Sequence, residues 1–193
     1  MKLLLVFSIL LSSLFSKEHY ILSTDIKEPS DCLVPNPVLE SIMSVERSLD
    51  REIGYPFIIR INRKKEIKKA HRVLKGMYYT VTKRDKAVID CKSTNNCAKI
   101  TKKLVSSKIK NIDLGAFGLN YYWREGWRYN PRTFFINNKA SLITCKYLHE
   151  LNNEFGWSWR TIGNYHNRHK KRNDLYVKRL KRYIEKKGYS SEI

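Results

Sequence analysis

Acidic residues are scarce in this chain. Its 193 residues carry 18 Asp and Glu against 38 Lys and Arg, a formal charge of +20. That imbalance favours anionic partners and salt-dependent association, although a solvated basic face that serves only solubility has the same composition. Long apolar runs are missing after Leu11, which argues against a later membrane span, since a spanning helix needs about 20 apolar residues. No internal repeat or low-complexity stretch is present, which argues against a solenoid. Cysteine occurs only four times, and none directly follows the first apolar run, so a lipoprotein anchor is not expected. The histidines are not spaced as zinc partners of those cysteines, so no metal and no cofactor are expected.

The chain opens MKLLLVFSILLSSLFSKEHY. One lysine, an apolar run too short to span a bilayer and small serines form the layout of a secretory signal peptide. Residues 1–16 are read as that signal, with an uncleaved anchor as the alternative. Residues 17–35 are a lead segment, 36–187 one domain and 188–193 a tail. About 175 residues would remain after cleavage, enough for one core. The expected location is periplasmic or secreted. Export favours an anionic cell-envelope polymer over nucleic acid as the partner of the basic surface. It also favours disulfides, for which four cysteines allow three pairings. Cys91 and Cys97 flank the polar run KSTNN, so a local bridge closes easily there.

Periodicity predicts a mainly α fold with one small β-hairpin. Asn36 and Pro37 suit a helix start, and the helix is expected to reach about Asp50. EIGYPFIIRIN reads as a turn and a short extended run, because Gly54 and Pro56 break the helix. KKEIKKAHRVL reads as a short basic helix, and MYYTVTKRDKAVID as the hairpin. Asn95 is expected to cap a helix carrying Cys97, Ile100 and Leu104. NIDLGAFGLNYYW reads as a glycine-bearing loop or a loop entering a helix. SLITCKYLHELNNEF, ended by Gly156, and WSWRTIGNYH read as helices. The last helix is NDLYVKRLKRYIEKK, with Asn173 as its cap and Leu175, Leu180, Tyr183 and Ile184 turned inward.

The first helix poses the functional question. Its apolar stripe runs Val38, Leu39, Ile42, Val45, Leu49, and Glu46 falls inside it. At about 100° per residue, Glu46 lies about 40° from Ile42, whereas Glu40 lies about 160° away and should face water. Burial disfavours a charged carboxylate, and an acid that holds its proton near neutral pH can act as a general acid. The plainer alternative is a long side chain that reaches solvent or pairs with Arg47 or Arg51.

Three blocks set Glu46 in context. VERSLDREIGYPFIIRIN is similar to a catalytic glutamate followed by a Pro-aromatic-Ile segment that ends in asparagine, here Asn62. NIDLGAFGLNYYW is similar to an Asp-x-Gly-Leu-Met-Gln-x-Asn block. WSWRTIGNYHNR, with the downstream Tyr176, is similar to a Trp-x-x-Ala-x-x-x-Tyr-His-Ser segment. In this order the blocks resemble the lytic transglycosylases of the goose-lysozyme-like superfamily, nearest to the small, stand-alone periplasmic forms with an SLT-like domain. The resemblance spans roughly residues 38 to 185. It departs at Arg47, where serine usually follows the glutamate. Ala116 and Phe117 stand for Leu-Met, Gly118 for the glutamine and Asn167 for the serine.

The resemblance implies a lysozyme-like α+β fold and a lyase reaction with one carboxylate. Glu46 would protonate the oxygen between N-acetylmuramic acid and N-acetylglucosamine. As a base it would then take the proton of the muramic 6-hydroxyl, which closes a 1,6-anhydro ring. The resemblance also implies substrate contacts at Asn62, Gly115, Phe117, Asn120, Tyr165 and His166. Tyr165 reads equally as a core tyrosine, and the two glycines as simple turn residues. Tyr55 and Phe57 are read either as cleft lining or as packing. Peptidoglycan glycan strands are the expected partner, with a secretion or conjugation apparatus suggested by analogy and nucleic acid not expected. The expected bridges are Cys91–Cys97 and Cys32–Cys145, the second resembling a staple of related small enzymes. Rival readings are a lysozyme-type hydrolase, with Asp50, Glu52, Asp113 or Glu125 as a second acid, and an inactive basic glycan-binding protein.

Overall fold

The computed structural model describes Cys32 and residues 34–82, 85–123 and 126–191. The signal peptide, most of the lead segment, Glu125 and the last two residues of the tail lie outside the described residues. The fold is mainly α with a small β part. Among the described residues there are six α-helices and one five-stranded antiparallel sheet. No helix among them is long and apolar enough to cross a membrane.

Helix α1 (Asn36–Glu46) lies along α6 (Lys170–Lys186), burying Val38, Leu39, Ile42 and Met43. It starts one residue earlier than expected, with Pro35 at the cap position and no side-chain cap. It also ends earlier, because Arg47 turns extended (φ −59°, ψ 147°). Leu49 is therefore outside the stripe and 71% exposed. The chain beyond is held by Asp90, a buried carboxylate. Burial alone would raise its pKa, but hydrogen bonds from Lys92, Arg51 and Tyr55 overcome that and hold it below the usual carboxylate value. Tyr55, packed edge-on against Phe57, is spent on this node, and neither ring lines the cleft described below.

The sheet runs β2-β3-β1-β4-β5. The expected hairpin forms from β2 (Thr80–Val81) and β3 (Val88–Asp90). The extended run after Pro56 becomes the central strand β1 (Ile58–Ile61). The glycine block was expected to be a loop or a loop entering a helix, yet it is a second hairpin, β4 (Ile112–Leu114) and β5 (Leu119–Asn120). Side chains alternate across a strand, so register decides which residues share a face. Ile59 opposes Ile89 and Leu114, and Leu114 opposes Leu119, an apolar ladder on one face. The other face carries Arg60, Asp113 and Asn120 side by side.

Helix α2 (Ile67–Val73) follows a 3-10 turn at Lys64–Glu66. Ser93, not Asn95, caps α3 (Thr94–Ser106), accepting from the Asn96 N–H. After 3-10 turns at Gly126–Arg128 and Pro131–Phe135 comes α4 (Asn137–Phe155), which Gly156 ends at φ +73°. Helix α5 (Trp159–Gly163) is capped by Ser158. Asn173 does not cap α6. It is buried near the helix start and donates to the Arg160 carbonyl and to Asn164 Oδ1 (3.0 and 2.8 Å). Leu175 points outward, 53% exposed, while Leu180 and Ile184 are buried as expected. Both expected bridges are present. Cys32–Cys145 ties the approach to α1 onto α4, and Cys91–Cys97 ties the end of β3 onto α3.

Candidate active site

A cleft of about 800 Å³ opens where the end of α1, the second hairpin and the loop after α5 meet. Glu46 is the last residue of α1, and its side chain is only 17% exposed. One oxygen lies 3.3 Å from His166 Nδ1. That contact is the main cause that raises the imidazole pKa above its usual value, against the opposing effect of burial. The His166 ring stacks on Tyr176 with centroids 4.6 Å apart and planes 4° apart. Tyr176 is buried, and its phenol is pushed well up by burial and then by the Glu46 charge. Its hydroxyl is near Glu46 but stops short of hydrogen-bond geometry.

Gly118 explains how Glu46 fits. It adopts φ +59°, and a Cβ there would lie 2.8 Å from Glu46 Oε2. A side chain at this position would make the carboxylate shift from where it lies. The glutamine implied by the family resemblance is thus replaced by a residue that leaves room for the acid.

Asp113 stands on the same wall. The amides of Asn62 and Asn120 each donate to its Oδ1 at 2.7 Å, and both also donate to Asn111 Oδ1 (3.2 and 2.9 Å). Burial raises the Asp113 carboxyl to about 6. The two amides and Arg60 oppose the rise, while the Glu46 charge adds to it. Among the other acids named as second carboxylates, Asp50 and Glu52 are exposed and line no part of the cleft.

The remaining expected site residues divide. Asn62, Asn120, Tyr165 and His166 line the cleft with Glu46. Tyr165 is buried, and its hydroxyl donates to the Phe117 carbonyl at 2.7 Å, which ties the loop after α5 to the glycine turn. Phe117 is corrected: its side chain is wholly buried in the core and unavailable to a ligand. Gly115 is corrected too. A Cβ there would lie 2.0 Å from the Phe134 carbonyl, so the residue serves close packing and does not line the cleft. Sequence reasoning missed Asn111, Trp123, Arg168 and Arg172, which also line it. Asn111 and Trp123 are the first and last residues of the glycine block itself, which carried no role for either. The two arginines were hidden in a general excess of charge.

Among the described residues, no group of three or more His, Cys, Asp or Glu side chains is gathered as metal ligands would be. Chemically the cleft offers a carboxylate in contact with an imidazole, a second carboxyl with a pKa of about 6, and basic side chains at its rim. Comparison with family models, with curated proteins and with solved structures finds no match to this chain.

Proposed function

We propose that this protein is an exported peptidoglycan lytic transglycosylase with a lysozyme-like domain. One observation carries the reading. Three blocks far apart in sequence, chosen for their resemblance to that family, contribute Glu46, then Asp113, Gly118 and Asn120, then Tyr165 and His166, to one cleft. The disulfides fit an oxidising compartment, and the basic surface fits an anionic wall polymer.

In this reading Glu46 gives a proton to the glycosidic oxygen as the bond from the muramic C1 to that oxygen breaks. It then accepts the proton of the muramic 6-hydroxyl as the C1–O6 bond forms. No water is consumed, and Glu46 returns to its first state. His166, whose charged form is favoured by Glu46, holds 3.3 Å away the proton that the carboxylate takes up before it acts as the acid. Asn62 and Asn120 hold Asp113 in place, each sharing its amide between Asp113 and Asn111. By analogy, such an enzyme opens the wall for turnover or for a secretion or conjugation apparatus.

Asp113 favours a second reading, a lysozyme-type hydrolase. A carboxyl of about 6 beside the acid is suited to activating water. Mass spectrometry of peptidoglycan digests separates the two. The wild-type protein is expected to release 1,6-anhydro-muropeptides, and Glu46→Gln to release at least about 100-fold less. Glu40→Gln is expected to keep activity, since Glu40 faces Tyr183 of α6 and not the cleft. Free reducing ends would establish the hydrolase instead. Binding without any cleavage would leave only a glycan-binding protein.

A further inference from the structure

We propose that the cleft continues past Trp123 into a second hexosamine subsite, with the Trp123 indole as its stacking platform. The inference rests on the glycan-cleaving reading above and extends it to how the strand is held.

Trp123 and Tyr147 line two hollows at once. One is the cleft that contains Glu46, and the other is a depression of about 300 Å³ edged by Arg128, Tyr129, Lys146 and Glu150. The two hollows therefore share these rings as a common wall. The smaller hollow is at the lower end of small-ligand sites and fits one sugar residue.

Trp123 is 67% exposed. With Tyr122, itself 47% exposed, it forms an aromatic patch of the kind that marks ligand-binding grooves. Its shape suits a pyranose, which has an apolar C–H face and polar edges. The face stacks on an aromatic ring, while the edges meet polar groups such as those around this depression. Tyr122 packs edge-on against Trp123, with centroids 4.9 Å apart and planes at 89°, and so limits how the indole can turn.

The platform is also fixed to the acid. Asn120 Oδ1 accepts the backbone N–H groups of Tyr122 and Trp123 at 3.1 and 3.0 Å, while its amide donates to Asp113. One side chain thus sets both the second carboxyl and the turn that carries the indole. A sugar stacked on Trp123 is held in register with the bond at Glu46. Trp127, 60% exposed, lines neither hollow and serves as a control.

The test measures binding by calorimetry in a Glu46→Gln background, which stops turnover. The probes are amidase-stripped glycan oligomers of two and of four GlcNAc–MurNAc repeats, measured at 0.5 M NaCl so that their lactyl carboxylates are screened. The four-repeat oligomer is expected to bind about tenfold more tightly than the two-repeat one. Adding Trp123→Ala should shrink that gap to less than about twofold, and adding Trp127→Ala should leave it in place. An undiminished gap with Trp123→Ala, an equal loss with Trp127→Ala, or no gap at all would remove the subsite and leave the cleavage reading standing. If neither oligomer binds, the glycan reading falls together with the subsite.

Discussion

Asp113 has a neighbour on every side that acts on its charge: two donating amides, Arg60 across the strand and Glu46 across the cleft. Its carboxyl is raised to about 6 from 3.8, so the folded state holds a proton that the unfolded chain has already lost between those values. The stability gained from that proton is complete below about pH 3.8 and is lost as pH rises through about 6. At pH 7.5 the wild-type protein therefore carries a poorly solvated charge. In Asp113→Asn the side-chain oxygen can still accept from Asn62 and Asn120, while the charge is gone. This variant should be stabilised relative to wild type at pH 7.5, on the order of 2 kcal/mol, and the advantage should shrink towards pH 4. Thermal melts of both proteins across that range check the point, and a difference that does not change with pH would show that Asp113 is not perturbed by folding. The sequence presented Asp113 as the acid of the glycine block, read as capping or orienting a loop and otherwise as one of four candidate second acids. Its distinction comes from register, which sets it beside Asn120 and Arg60, and register is a long-range property.

The legible elements are those with local signals. The helix carrying Glu46, the 77–90 hairpin, the helix stopped by Gly156 and the apolar side of the last helix follow from periodicity and breakers within a few residues. The glycine block was misread because its strands are two and three residues long and form only by pairing, β4 with β1 and β5 with β4. Likewise Asn173 looked like a cap, but its amide is used to bolt α6 to the loop that carries Tyr165 and His166. At the turn of the second hairpin, Gly118 should be irreplaceable for activity. Gly118→Ala places a Cβ 2.8 Å from Glu46 Oε2 at φ +59°, so the carboxylate must move. We expect a loss of about 1–2 kcal/mol in stability and at least about tenfold in anhydro-muropeptide release. Gly76→Ala is the comparison: it has φ +84° but open space around it, so it should show a similar backbone cost with activity kept. Full activity in Gly118→Ala would mean that the fit between Gly118 and Glu46 does not matter to the reaction.

At the scale of the whole molecule, charge and covalent ties act together. Cys32–Cys145 closes a loop of 113 residues in sequence, and Cys91–Cys97 a loop of six. Both restrict the unfolded chain more than they shape the surface. That surface carries an excess of 20 positive charges over the full chain. Helices α2, α3 and α6 each bear several lysines or arginines. Arg168 and Arg172 bring the excess to the cleft, although Arg168 is paired with Glu154. A wall polymer with carboxylate-bearing peptide stems is attracted over a distance set by the salt. The screening length is about 8 Å at 0.15 M and about 3 Å at 1 M, so attraction between exposed charges should nearly vanish at the higher salt. Pull-down on purified sacculi should therefore fall at least about tenfold between 0.05 M and 1 M NaCl. Stacking of a neutral sugar on Trp123 is not screened in this way, so binding of an uncharged oligomer of GlcNAc alone should change far less over the same range. Sacculus binding that is equally strong at both salt concentrations would show that the basic surface does not capture substrate, and its charge would then be a matter of solubility alone.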